Sequence, residues 1–158
     1  MKKILITFFS ATGTTAKLAQ RFAEEINADL YEIKPEKPYT EKDLNWVNPI
    51  SRTTKEYIRK SNVPIAGKIN NLNEYDTIII GFPIWFFKEP NIIKSFLSQY
   101  DLSGKTVSCF ATSHKAGIVK AESELKALCP NAIWKSGILA NGKSSDELRK
   151  WLTEITQA

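Results

Sequence analysis

Runs of branched and aromatic residues alternate five times along this chain with stretches of helical periodicity, and that alternation narrows the possible folds more than any other feature. Lys3–Phe9 (KILITFF) is an unbroken apolar run, as a strand covered on both faces requires. Ala16, Leu18, Ala19, Phe22, Ala23 and Ile26 then recur at helical spacing and predict a helix over Thr14–Ile26. Asp29–Ile33 (DLYEI) is short and alternating, a second strand nearer the sheet edge. Tyr75–Phe82 (YDTIIIGF) is the strongest strand signal, and Pro83 ends it. Pro90 opens a helix that carries Ile92, Ile93, Phe96 and Leu97 on one face. Thr106–Ala111 (TVSCFA) reads as a fourth strand, followed by a helix from about Gly117 to Leu128 that Pro130 stops. A short fifth strand lies within Ala132–Leu139. Ser144 or Ser145 caps a last helix over Ser145–Ile155, striped by Leu148, Trp151, Leu152 and Ile155. Lys34–Gly67 is more polar. There Thr40 and Asp43 have the spacing of a helix start, and Ser51–Lys60 reads as a further helical segment.

Such alternation predicts a three-layer α/β domain spanning 1–158, a doubly wound parallel sheet covered by helices on both faces. A chain of 158 residues can bury that core without disulfides or metals. In such sheets ligands lie outside the carboxyl ends of the strands. Three loops leave strand ends there, Ser10–Thr15, Pro83–Pro90 and Thr112–Gly117, and they are expected to converge on one site.

Other classes fall away. No apolar run approaches the roughly 20 residues that span a bilayer. The basic start Met1-Lys2-Lys3 leads into an apolar stretch that stops at Phe9 and meets a helix-capping pattern, so a cytoplasmic protein is expected. Cys109 and Cys129 have neither metal-like nor C-x-x-C spacing, and His114 is the only histidine, so no metal centre is expected. The net charge of +5 favours acidic partners but is spread along the chain. Its densest cluster, Arg52, Lys55, Arg59 and Lys60, has helical spacing and reads as a solvated helix face; no nucleic-acid motif accompanies it.

Between the first strand and the first helix, Ser10, Thr12, Thr14 and Thr15 place four hydroxyls within six residues around Gly13. The first N–H groups of a helix lack intrahelical partners, and the dipole there favours an anion. Gly13 would let backbone approach a phosphate closely. The competing reading is a hydroxyl-rich turn that caps its own helix. A P-loop is excluded because Gly13 is followed by Thr14, and G-x-G-x-x-G is missing. No cysteine in the loop could serve as a phosphatase nucleophile. Phe82 and Pro83 stand where a phospho-accepting aspartate would. Binding survives better than hydrolysis or phosphotransfer, and no catalytic residue emerges.

Pro83-Ile84-Trp85-Phe86-Phe87 sets three consecutive aromatics just past a strand end, a place usually solvated. They could stack against a flat ring, or pack inward as core or over a sheet edge.

With these segments in view the chain resembles the flavodoxin family, especially its short bacterial branch. The matching stretches are FFSATGTTAKLA (Phe8–Ala19), DLYEIKPEKPYT (Asp29–Thr40), YDTIIIGFPIWF (Tyr75–Phe86), SFLSQYDLSGKTVSCFATS (Ser95–Ser113) and LKALCP (Leu125–Pro130). The resemblance implies a five-stranded sheet of order 2-1-3-4-5 and one noncovalent flavin mononucleotide (FMN). Its phosphate would sit on Ser10, Thr12, Gly13, Thr14 and Thr15. Pro83, Ile84, Trp85 and Phe86 would line the isoalloxazine, and Thr112, Ser113 and His114 would close its pyrimidine side. The implied function is electron transfer with a redox partner protein or a small electron acceptor. The alternatives are an NAD(P)H:quinone-type reductase and a flavin-free interaction domain.

The chain departs from that family in three places. Phe87-Lys88 stands where relatives often carry a small residue or glycine, the third loop reads Thr112-Ser113-His114-Lys115, and the charge is basic. His114 or Lys115, with Lys88, is expected to bring positive charge near the flavin N1–C2=O edge and stabilise the reduced ring.

Overall fold

The structure is a computed structural model that describes residues 3–45, 47–113 and 117–157. Its central sheet contains β1 (Ile4–Phe8), β2 (Asp29–Glu32), β5 (Thr77–Pro83), β6 (Thr106–Thr112), β7 (Ile133–Trp134) and β8 (Ile138–Leu139). The strand order is β2-β1-β5-β6-β7, every pair is parallel, and β8 also pairs with β6. When β7 and β8 are counted as one interrupted strand, this is the expected order 2-1-3-4-5. Its helices are α1 (Thr14–Ile26), α2 (Arg52–Arg59), α3 (Asn91–Leu97), α4 (Val119–Leu128) and α5 (Ser145–Thr156).

Strand periodicity divides the interior in two. On β5, Ile78, Ile80 and Phe82 face α3 and α4, together with Ile92, Ile93, Phe96 and Leu125. Ile79 faces α1 and α5, in the company of Phe22, Phe110, Leu148 and Trp151. Both faces are covered, so β1, β5 and β6 carry the continuous apolar runs seen in the sequence. Gly81 makes room beneath α1. A Cβ there would stand 2.2 Å from Cζ of Phe110, whose ring meets Phe22 edge-on at 5.0 Å.

The fifth strand is broken at 135–137, where partners outside the ladder take over. The Ser136 carbonyl accepts from Ser108 Oγ at 3.0 Å and from Trp151 Nε1 at 2.8 Å, and the Gly137 N–H donates to Glu122 at 2.8 Å. The polar stretch also differs from expectation. Thr40 and Asp43 do exchange reciprocal bonds, 3.0 and 3.2 Å, but only a turn follows them. Two residues on each side, β3 (Lys34–Pro35) and β4 (Ile65–Ala66), form a small antiparallel pair. Among the described residues no helix is long and apolar enough to cross a membrane.

Candidate functional site

After β1 the chain turns through Ser10–Gly13, and Gly13 adopts φ 98°. No atom lies within 4 Å of a Cβ built there, so the left-handed backbone, rather than crowding, selects glycine. The Gly13 N–H donates to Ser10 Oγ at 3.1 Å. No side chain caps α1, and its first turn holds no acidic residue. By contrast, serine side chains cap α2 and α5: Ser51 accepts from the Thr54 N–H, and Ser144 forms a full capping box with Glu147. The self-capping reading of the hydroxyl loop therefore fails, and the N-terminus of α1 remains open to an anion. Thr12 and Thr14 are exposed there, whereas Thr15 is buried and its hydroxyl lies 3.0 Å from that of Thr112. The loop thus divides its work: Ser10 and Thr15 fix its shape, and Thr12 and Thr14 face outward.

The three loops do converge. The Ile84 N–H donates to the Thr112 carbonyl at 2.8 Å, and the Ser113 N–H donates to Asn141 Oδ1 at 2.7 Å. With the Thr15–Thr112 contact, these bonds tie the carboxyl ends of β1, β5, β6 and β8 together. His114 and Lys115 lie outside the described residues.

The aromatic run folds into a tight hairpin. Trp85 and Lys88 exchange backbone bonds of 2.9 and 3.1 Å, and Phe86 and Phe87 between them have φ 51° and 68°. Positive φ at both central residues marks a type I′ turn, normally the place of Asn-Gly. Trp85 meets the rings of Phe9 and Tyr39 edge-on at 5.4 and 5.2 Å, and Phe86 stacks on Tyr57 of α2 at 4.5 Å. Pro83, Ile84, Trp85 and Phe86 are half-buried, neither core nor solvated loop, while Phe87 is 70% exposed.

Behind Trp85 stands a braced wall. The Arg52 guanidinium lies 3.8 Å from the Tyr39 ring, bonds Glu56 at 3.1 Å, and donates to the Lys37 carbonyl at 2.7 Å. The Tyr39 hydroxyl donates to Glu56 at 2.5 Å, and burial together with that carboxylate pushes its pKa upward. Arg52 is therefore no part of a solvated basic face.

Lys88 is also placed otherwise than expected. It is buried, with Nζ 3.8 Å from Glu124 on α4 and 5.5 Å from the Tyr57 ring. Beside it Glu89 is 1% exposed, neither of its carboxyl oxygens has a hydrogen-bond partner among the described residues, and Lys94 Nζ is 3.6 Å away. Burial first, then the Glu124 carboxylate, pushes Glu89 up to about 8. Glu124 stays low despite its own partial burial, held there by Glu89, Lys94 and Lys88. No sequence signal marks this cluster, whose acids are far apart along the chain.

A cleft of about 520 Å³ adjoins the hydroxyl loop between α1 and the segment entering α5. Thr14 and Thr112 lie on its loop side, Lys17, Arg21 and Lys143 supply charge, and Leu18 and Leu148 give an apolar surface. A smaller cavity of about 170 Å³, lined in part by Cys129, lies at the amino ends of the strands. Burial pushes the Cys129 thiol up, so that cavity holds no activated nucleophile.

Comparison with known proteins places this geometry. The family model described as flavodoxin matches residues 3–155. A presumed flavoprotein from Bacteroides eggerthii is 40% identical over 100% of both chains, with a TM-score of 0.93. Another from Bacteroides uniformis is 44% identical over 96% of this chain and 98% of that one, with a TM-score of 0.90. A flavoprotein from Lactobacillus acidophilus in complex with FMN shares the fold at 24% identity, covering 96% and 99%, with a TM-score of 0.74. No curated protein matches the chain.

Proposed function

This chain belongs to the flavodoxin family, and from that premise we propose that it binds one FMN and uses it to pass electrons between a redox partner and an acceptor. The observation that carries the reading is the uncapped N-terminus of α1, with Thr12 and Thr14 facing outward, tied through Thr112 to a half-buried aromatic hairpin. The residues fit the cofactor. An anion at α1 would take the free helical N–H groups and the Thr12 and Thr14 hydroxyls. Ser10 and Gly13 would hold the loop in register, and Thr15 would anchor it to β6.

FMN, once bound, supplies reversible electron uptake. Pro83, Ile84, Trp85 and Phe86 would flank its ring and exclude water from one face. The Phe9–Tyr39–Arg52 wall would hold Trp85 in place. Thr112 and Ser113 would face the pyrimidine edge, with Asn141 fixing the Ser113 backbone. No side chain is assigned an acid–base role. The net charge of +5 supports an acidic partner surface.

The test is an absorption and fluorescence titration of apo-protein with FMN. Thr12→Ala plus Thr14→Ala removes two hydroxyls from a charged group, each worth about 1.5–3 kcal/mol, and should weaken binding at least about a hundredfold. Unchanged affinity would move the phosphate elsewhere. Rapid NAD(P)H oxidation with a quinone acceptor would identify a reductase instead of a carrier.

A further inference from the structure

Lys88 closes the aromatic hairpin through its backbone, and its side chain leads away from solvent into a cluster of acids and bases. Lys88 is 6% exposed, with its ammonium group 3.8 Å from Glu124 on α4 and 5.5 Å from the Tyr57 ring, on which Phe86 stacks. Glu89, the next residue, is 1% exposed. Lys94 of α3 lies 3.6 Å from Glu89 and 3.3 Å from Glu124, so it bridges the two carboxyls. From β6, Cys109 senses the Glu89 charge but stays a neutral thiol, pushed up first by its own burial.

Both Glu89 oxygens and Oε2 of Glu124 are buried without a hydrogen-bond partner among the described residues. Carboxylates only accept, so as two anions these groups would face each other in a buried like-charge contact. One proton between them removes the repulsion and supplies a hydrogen bond. Glu89, the more buried of the two, is the group it neutralises, pushed up to about 8. Glu124 keeps its charge and divides it between Lys88 and Lys94. When the proton leaves, the carboxylates repel, and Glu124, whose side chain is 30% exposed, is the one free to swing outward. Lys88 then loses the anion that holds the hairpin against α4.

We propose that Lys88, Glu89 and Glu124 are positioning residues that form a proton-dependent latch. One proton shared by the two carboxyls keeps the hairpin against α4, and with it the Trp85 surface for a flat ligand ring. The link to ring binding rests on the flavin reading, whereas the latch itself does not.

The experiment follows isotope-labelled apo-protein by NMR between about pH 6.5 and about pH 9. One glutamate side-chain carboxyl should titrate near pH 8, and the Trp85 indole N–H signal, assigned with Trp85→Phe, should shift with the same midpoint. Glu89→Gln places a permanent donor between the side chains and should abolish both titrations. Lys88→Met cuts the latch, so the carboxyl should still titrate while the Trp85 signal no longer follows it. FMN affinity, read by flavin fluorescence, should weaken by about threefold or more between about pH 7 and about pH 9, with about tenfold the limit for one proton lost. Glu89→Gln should hold that affinity within about twofold. If FMN binds at no pH while the two apo-protein titrations coincide, the flavin reading falls and the latch stands. FMN binding that ignores pH overturns the link to the ring. A wild-type Trp85 signal that ignores the carboxyl, one that still follows it in Lys88→Met, or a pH response that survives Glu89→Gln overturns the latch.

Discussion

Phe86 and Phe87 offer a pair of substitutions that separates backbone strain from side-chain contact. Both sit at positive φ, 51° and 68°, where a bulky side chain costs about 2 kcal/mol and glycine costs nothing of that kind. Phe87→Gly relieves that strain but loosens the unfolded chain, which costs about 0.7 kcal/mol. It also loses the burial of a ring already 70% exposed, about 0.6 kcal/mol. The variant should be more stable by about 0.7 kcal/mol, a rise of about 2 °C in Tm for a chain of this length. Phe86→Gly undergoes the same backbone changes but also loses its stack on Tyr57 at 4.5 Å, about 1 kcal/mol beyond burial. It should be less stable than Phe87→Gly by more than about 1 kcal/mol. Urea denaturation of the two variants measures this difference, from which the backbone contributions cancel. Equal stabilities, or a Phe87→Gly variant weaker than wild type by about 1 kcal/mol, would refute the strained hairpin.

Two further outcomes follow from buried groups. Glu89 is raised from 4.5 to about 8 in the folded chain, so its protonated form contributes stability that is fully present below pH 4.5 and lost as the pH rises through about 8. Denaturation midpoints should fall across that window, by at most about 1.4 kcal/mol per pH unit, and Glu89→Gln should flatten the slope. A slope that survives the substitution would place the titration elsewhere. Gly81→Ala would bring a methyl to 2.2 Å from the Phe110 ring and should destabilise by about 1–3 kcal/mol, which chemical denaturation would register.

The alternation of elements was readable because both faces of β1, β5 and β6 are buried, which leaves uninterrupted apolar runs in the sequence. The hydroxyl loop was readable because Ser10 to Thr15 are contiguous and follow a strand end. Its geometry was not: only the structure separates Thr15, bonded to Thr112, from the outward Thr12 and Thr14. The hairpin was hidden because Phe86 and Phe87 occupy a turn that residue preference reserves for asparagine and glycine. Arg52 was misread as solvated because its partner Tyr39 lies in the irregular stretch, where Thr40 and Asp43 form their box without nucleating a helix. Lys17 and Arg21 are spaced to share a face of α1, but only the topology brings Lys143 beside them. Glu89, just ahead of α3, and Glu124 on α4 meet for the same reason.

The knot of contacts at Thr112 and Ser113 has a consequence for how the molecule opens. Thr15, Ile84 and Asn141 each grip this short stretch of β6, so the phosphate side of the site belongs to the same cooperative unit as the central strands. It cannot fray without beginning to dissolve the sheet. The Trp85–Lys88 turn, in contrast, has no backbone bond to the sheet within its own four residues: one pair of backbone bonds closes it, and side chains hold it, through ring contacts and the Lys88–Glu124 pair. Among the described site segments, local openings of low free energy are therefore expected first at that turn, and a ligand ring would enter and leave past it while its anionic end stays moored to the rigid half.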